Sequence, residues 1–373
     1  MRYTITALDL HFLALELQGL SGAKVEKIYQ PEKQDFLIVL HVPNKGKTIL
    51  RINLPRYVFL TDFKGAVPDQ PSHFCMMLRK YLSNARLRDV GQAGFERVLD
   101  ILFETKDQSF RLIIELFSKG NIILASPDYV IKSPLFPKRW KDRTVRGNAP
   151  YEFPKQRYDL LAMGKDEFFK AIKQSDKESI VKTLALELSL GGRYAEELCL
   201  RAGIDKSKAE LDEAELGRLW GSVEELLKSP LKPMIIYKDE EPFDITPVEL
   251  ELYKDHAKEG CSSFNAALES VLSAQLENEQ KEAAEAESGK ERRRLEAIVK
   301  QQEESIAKLE RSSEENQRKG ELIFESYMQV KEVLEELEKA KKKLSWKEIK
   351  ARLKDHPVIK ELHEKNNEVI VEL

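Results

Sequence analysis

The sequence predicts an α+β fold: a mixed, mostly antiparallel sheet at the amino end, a helical helix-hairpin-helix insertion, and a long coiled-coil helix. Three observations predict it. Short apolar runs with strand-like alternation recur between residues 24 and 126, separated by turn residues. A glycine pair, Gly191-Gly192, divides two helical stretches. From Leu295 to Leu344, positions spaced alternately four and three residues apart form a heptad seam.

Residues 6–20 read as an amphipathic helix, with Leu10, Leu13, Leu17 and Leu20 at helical spacing, broken by Gly19 and Gly22. Residues 24–29, 36–42, 48–54 and 57–61 read as strands. Asn44-Lys45-Gly46-Lys47 is a hairpin turn, because Asn and Gly tolerate positive φ. Residues 72–82 read as a second helix, and strands follow at 87–90, 98–103, 110–116 and 121–126. Residues 127–157 are rich in proline and basic side chains, which predicts a surface loop. Residues 166–228 read as helical, and 234–238 with 246–252 as a strand pair returning to the first sheet. The seam turns polar at Ser313, Asn316 and Gly320, where packing should loosen. After Trp346 the chain reads as compact again and ends in a strand-like run, residues 367–373.

Composition excludes several classes of function. The net charge is only −3, so any nucleic-acid binding must use local patches. Cys75, Cys199 and Cys261 are too few and too far apart for a disulfide framework or a zinc site, and they fit a reducing cytosol. No apolar run approaches the roughly 20 residues that span a bilayer, so no membrane partner is expected. Asp9, His11 and Glu16 interrupt any signal-peptide pattern. There is no GxxxxGK[ST], GxGxxG or GxSxG, and the six histidines are scattered. The expectation is therefore a protein without catalytic residues, metal or cofactor.

Other residues point to a family. Phe95-Glu96-Arg97 opens the strand at residue 98; Asp9 lies in Thr6-Ala7-Leu8-Asp9-Leu10; Phe117-Ser118-Lys119-Gly120-Asn121 precedes an apolar run; and Ser262-Ser263-Phe264-Asn265 opens the arm. With Met77-Leu78-Arg79-Lys80-Tyr81-Leu82, these resemble the amino-terminal region of the NFACT family. That family includes fibronectin-binding-protein-A-like proteins and ribosome quality-control factors that extend stalled nascent chains. The resemblance implies a non-catalytic, cytoplasmic factor. It would bind the large ribosomal subunit obstructed by peptidyl-tRNA and hold tRNA while the ribosome adds residues without mRNA. It also implies boundaries: 1–165 NFACT-N domain, 166–230 helix-hairpin-helix, 231–262 return strands, 263–345 coiled-coil arm, and 346–373 the start of a middle domain. Family members continue through a descending helix into a carboxy-terminal domain, so this chain is expected to be a fragment or a natural short form.

The candidate tRNA-binding residues are Asp9, Glu96, Arg97, Arg79, Lys80, Lys138, Arg139, Arg143 and Arg146. An arginine fork suits phosphate or a base edge, and a neighbouring carboxylate fixes its orientation. The family has Asp where this chain has Glu96, so the implied role attaches more firmly to Arg97. An ordinary salt-bridged pair is the competing reading. In the loop, Lys132, Lys138, Arg139, Lys141, Arg143 and Arg146 face only Asp142, with Phe136 and Trp140 among them. Such a set can bind phosphate and stack on bases, or simply cover the sheet. Arg79, Lys80, Arg86 and Arg88 are candidates to extend the same face. Gly191-Gly192 reads as a structural hairpin, since Glu196 and Glu197 would repel a phosphate. The exposed heptad stripe predicts self-association through the arm. Two rivals are weaker. A fibronectin-binding adhesin lacks a signal peptide, and a DNA-glycosylase-like protein lacks the amino-terminal proline nucleophile, since the chain begins Met1-Arg2-Tyr3.

Overall fold

The structure, a computed structural model, describes residues 3–140, 143–155, 157–354, 356–364, 366 and 368–373. It divides into two units, Met1–Glu282 and Ala283–Leu373.

The first unit opens with helix α1, Ala7–Leu17. Thr6 and Asp9 cap it reciprocally: each side chain accepts the other's backbone N–H, at 3.1 and 2.9 Å. Leu10, Leu13 and Leu17 enter one core, whereas Leu8 and Phe12 enter another. The helix is therefore buried on two faces rather than amphipathic. The leucine spacing reveals only one of them.

Strands β1 (Lys24–Glu32), β2 (Asp35–Val42), β3 (Gly46–Asn53) and β4 (Tyr57–Thr61) form an antiparallel meander. Asn44 and Gly46 adopt φ of 63° and 87° in its β2–β3 turn, as expected of those residues. Helix α2 (His73–Leu82) follows, then a second meander of β5 (Arg86–Gln92), β6 (Val98–Glu104), β7 (Ser109–Glu115), β8 (Asn121–Ala125) and β9 (Ile131–Pro134). The order is β4-β3-β2-β1-β5-β6-β7-β8-β9, and β1 meets β5 through one register pair, Lys24 with Arg86. Alternate residues of both meanders, such as Phe36, Ile38, Ile101 and Phe103, share the first core.

Residues 127–157 are not simply a surface loop. They supply β9 and a small hairpin, β10 (Lys138–Arg139) with β11 (Thr144–Val145). The cause lies upstream. Every residue of β8 is buried, so both faces of the sheet are apolar there. Ile131, Val145 and Tyr151 cover the outer face, over Val98, Ile113 and Ile123.

Helices α3 (Lys165–Lys173), α4 (Ile180–Lys182), α5 (Gly191–Ala202) and α6 (Glu213–Leu227) build the second core, with a π-helical turn at Thr183–Glu187. Strands β12 (Met234–Lys238), β13 (Glu241–Thr246) and β14 (Ala257–Gly260) then form their own sheet, in the order β13-β12-β14. The second strand thus lies at 241–246 instead of 246–252, and the strands do not join the large sheet. Ile235 and Ile245 face the first core, Met234 and Ile236 the second, so this small sheet separates the two.

Helix α7 (Phe264–Glu325) begins on the first unit. Glu16 accepts the N–H groups of Phe264 and Asn265 at 2.7 and 2.8 Å, satisfying the first orphan donors. In the second unit α7 continues to a kink at Ser326, followed by α8 (Tyr327–Lys341), α9 (Trp346–Arg352), and a hairpin of β15 (Ile359–His363) and β16 (Glu368–Val371). Asn367, part of the expected terminal strand, lies outside the described residues. The seam residues Leu295, Val299, Ile306, Leu309, Ile323, Tyr327 and Leu334 are exposed.

Candidate nucleic-acid interface

Glu96 and Arg97 sit on the connection between β5 and β6. Gly94 turns the chain there at φ 59°, and Phe95 is fully buried in the second core. That anchor holds the two charged side chains at the mouth of an open cleft of about 450 Å³. The cleft's other walls are Thr4–Ala7 ahead of and within α1, Phe117, and the turn from Ala185 to Gly191. Arg97 donates to the Ile5 carbonyl at 3.5 Å, and Ser189 donates to Glu96 at 3.4 Å. Gln92 braces the turn, donating to the carbonyls of Ala7 and Glu96 at 2.8 and 2.9 Å. Arg97 is half-buried. Desolvation lowers its pKa, and the adjacent Glu96 charge opposes that shift.

The first glycine of the pair lines this cleft. Gly191 has φ of 74°, which an L side chain rarely adopts. A Cβ there would sit 3.6 Å from the Thr6 methyl group. Glu196 and Glu197, expected to repel phosphate, are already neutralised. Glu196 pairs with Lys206, while buried Glu197 pairs with Arg201 and accepts the N–H groups of Glu251 and Leu252.

Asp9 requires a correction. It is completely buried, so it contacts no ligand directly. Its carboxylate receives Arg193 Nη2 at 2.5 and 2.6 Å and the Tyr194 hydroxyl at 2.5 Å. Arg193 also donates to Asp244 at 2.6 Å and to the Ile245 carbonyl at 3.1 Å. A buried carboxylate needs such partners. Burial pushes the hydroxyls of Tyr3 and Tyr194 well above the usual tyrosine range, so both stay protonated. Asp9 thus acts on the cleft through the Thr6 cap and the Ile5 carbonyl. Arg193 carries no label in the sequence beyond its place after the glycines. Its signal is a charge beside a helix face whose other members, Tyr194, Leu198 and Ala202, are all buried.

The basic segment is only partly available. Lys138, Arg139 and Arg146 line a second cleft of about 450 Å³, with Pro137, Val145 and Ala149. Lys138 lies 5.5 Å from the ring of exposed Trp140. Lys132 is exposed on β9. Arg143 is a correction. It is bound to buried Glu115, which also accepts the Tyr151 hydroxyl at 3.0 Å, so it serves the fold. Lys141 and Asp142 lie outside the described residues. Arg79 donates to the Ile28 carbonyl at 2.7 Å and stacks on Tyr29, while exposed Lys80 lies over Tyr81. The structure brings neither Arg79 nor Lys80 into either cleft. Arg86 and Arg88 bind Gly22 and Glu104.

Two features bound the chemistry. Among the described residues no group of His, Cys, Asp and Glu could hold a metal ion. No described helix is long and apolar enough to cross a membrane.

A large antiparallel sheet with a helical insertion is the fold of one family. Residues 6–367 match the model for NFACT N-terminal and middle domains, and the chain belongs to that family. It is 33% identical to the archaeal Rqc2 homolog aRqcH of Methanocaldococcus jannaschii, over 100% of this chain and 58% of that protein. It is also 33% identical to the ribosome quality control complex subunit NEMF of Homo sapiens, over 35% of this chain and 12% of that protein. The chain therefore spans little more than half of the first of these relatives and far less of the second. The crystal structure of the fibrinogen binding protein from Staphylococcus aureus shares the fold, at a TM-score of 0.57 and 21% identity over 70% of this chain and 97% of that one.

Proposed function

We propose that this chain is a non-catalytic, cytoplasmic quality-control factor. It binds large ribosomal subunits obstructed by peptidyl-tRNA and holds tRNA while the ribosome's own peptidyl-transferase centre extends the stalled chain without mRNA. The names of its relatives support the ribosome part of this reading. The observation that carries the tRNA part is the Glu96–Arg97 cleft: a half-buried guanidinium, braced by backbone, opens onto solvent between Thr6 and Ser189. Lys138, Arg139 and Arg146 add phosphate contacts beside Trp140. Asp9 positions the cleft wall. Arg79 and Lys80 stand apart from both clefts and contribute at most general attraction.

The test has two arms. Tagged protein should sediment with large-subunit particles. Arg97→Ala should weaken tRNA binding at least tenfold, because losing one partner of a charged hydrogen bond costs roughly 1.5–3 kcal/mol. Its melting temperature should stay nearly unchanged. Intact tRNA affinity with a melting point several degrees lower would make Arg97 a structural residue.

A further inference from the structure

We propose that the second unit carries a separate RNA-binding surface, formed by residues 339–354, which grips the phosphate backbone of RNA. Eight cations lie in this stretch against one carboxylate, Glu348. In residues 283–338 the balance is reversed, with fifteen carboxylates against ten cations. The reversal sits where α8 ends and α9 begins. Lys339, Lys342, Lys343, Lys347, Lys350 and Lys354 are all exposed, and none forms an ion pair among the described residues. Lys341 lies 5.3 Å from the ring of Trp346.

A bland role explains only part of this set. Cations in the last turn of α8 favour its negative end, which accounts for Lys339 and Lys341. The end of α9 accounts likewise for Lys350 and Arg352, but helix ends do not account for Lys347, at the start of α9, or for Lys354, beyond it. A lipid surface fits less well than RNA. An interfacial helix needs an exposed apolar face, whereas α9 has seven residues and buries Ile349. The six exposed lysines outside ion pairs fit phosphates through counterion release, and RNA presents phosphates at that density. The inference shares with the proposed function the view of this chain as an RNA-binding factor. It rests on different residues.

The experiment uses the full chain and a fluorescent RNA hairpin, titrated at several salt concentrations. A variant with Lys342, Lys343, Lys347 and Lys350 changed to Ala is compared with the same four changed to Arg. A Lys138→Ala/Arg139→Ala/Arg146→Ala variant runs in parallel. The Ala set should bind more weakly and lose roughly 3 from the log–log salt slope, at about 0.7–0.9 per phosphate contact. The Arg set should bind like the parent. The loss should persist on the loop-variant background, which separates this surface from the first unit's clefts. Unchanged affinity and slope in the Ala set overturns the proposal. So does an effect confined to phosphatidylserine vesicles with RNA binding intact.

Discussion

At the scale of single residues, partners decide which charges hold the fold. Asp9, Arg143 and Arg193 are tied to charged partners, while half-buried Arg97 donates to a backbone carbonyl and Arg146 is exposed. Arg193→Met should destabilise the protein by about 3–5 kcal/mol, because it strands the carboxylates of Asp9 and Asp244. Urea midpoints report this, and adding Asp9→Asn should cost less than the sum, since the two residues share one network. The pair Asp35 and Arg51, both almost wholly buried and joined at 3.1 and 2.5 Å, should behave alike. His11 gives a pH test. Desolvation lowers its pKa below the ordinary value of about 6.5. The unfolded chain then binds a proton that the folded chain resists, so stability falls as pH drops below that value. Stability profiles should show a weaker acid slope in His11→Gln; an unchanged slope would put the acid sensitivity elsewhere.

Elements show the same division. The hairpin of β10 and β11 offers one side to solvent and another to the sheet. Replacing Lys138, Arg139 and Arg146 with Ala should flatten the salt dependence of tRNA binding and leave the melting point alone. Arg143→Ala should do the reverse, leaving Glu115 buried without its cation at a cost of about 3–5 kcal/mol. Loss of affinity alone in both variants would make Arg143 a binding residue instead. The heptad stripe is an element with an unmet need. Each large aliphatic side chain gains roughly 1.5–3 kcal/mol on burial. The 373-residue polypeptide should therefore self-associate with rising concentration. Changing Ile306, Leu309, Ile323 and Val330 to Ser should return it to monomer in analytical ultracentrifugation. A monomeric parent whose arm is fully helical would refute this.

Across the whole molecule, local patterns were legible and distant pairings were not. The first eight strands and the first helix follow from alternation, leucine spacing and the Asn44–Gly46 turn. The β12–β13 turn escaped because Asp239 and Glu240 both take positive φ, 52° and 66°, without the Asn or Gly that marks such a turn. The Glu96–Arg97 pair could be picked out through the family resemblance. Its setting could not, because Ser189 and Gly191 lie about ninety residues away and Arg193 reaches Asp9 and Asp244 at once. That tie also sets a clock. Ribosomes make roughly 5–20 residues per second, so Asp9 waits on the order of ten to fifty seconds for Asp244 to be synthesised. Throughout that interval the wall beside Arg97 lacks its buried anchor. The growing chain gains a finished cleft only after Asp244 has left the ribosome.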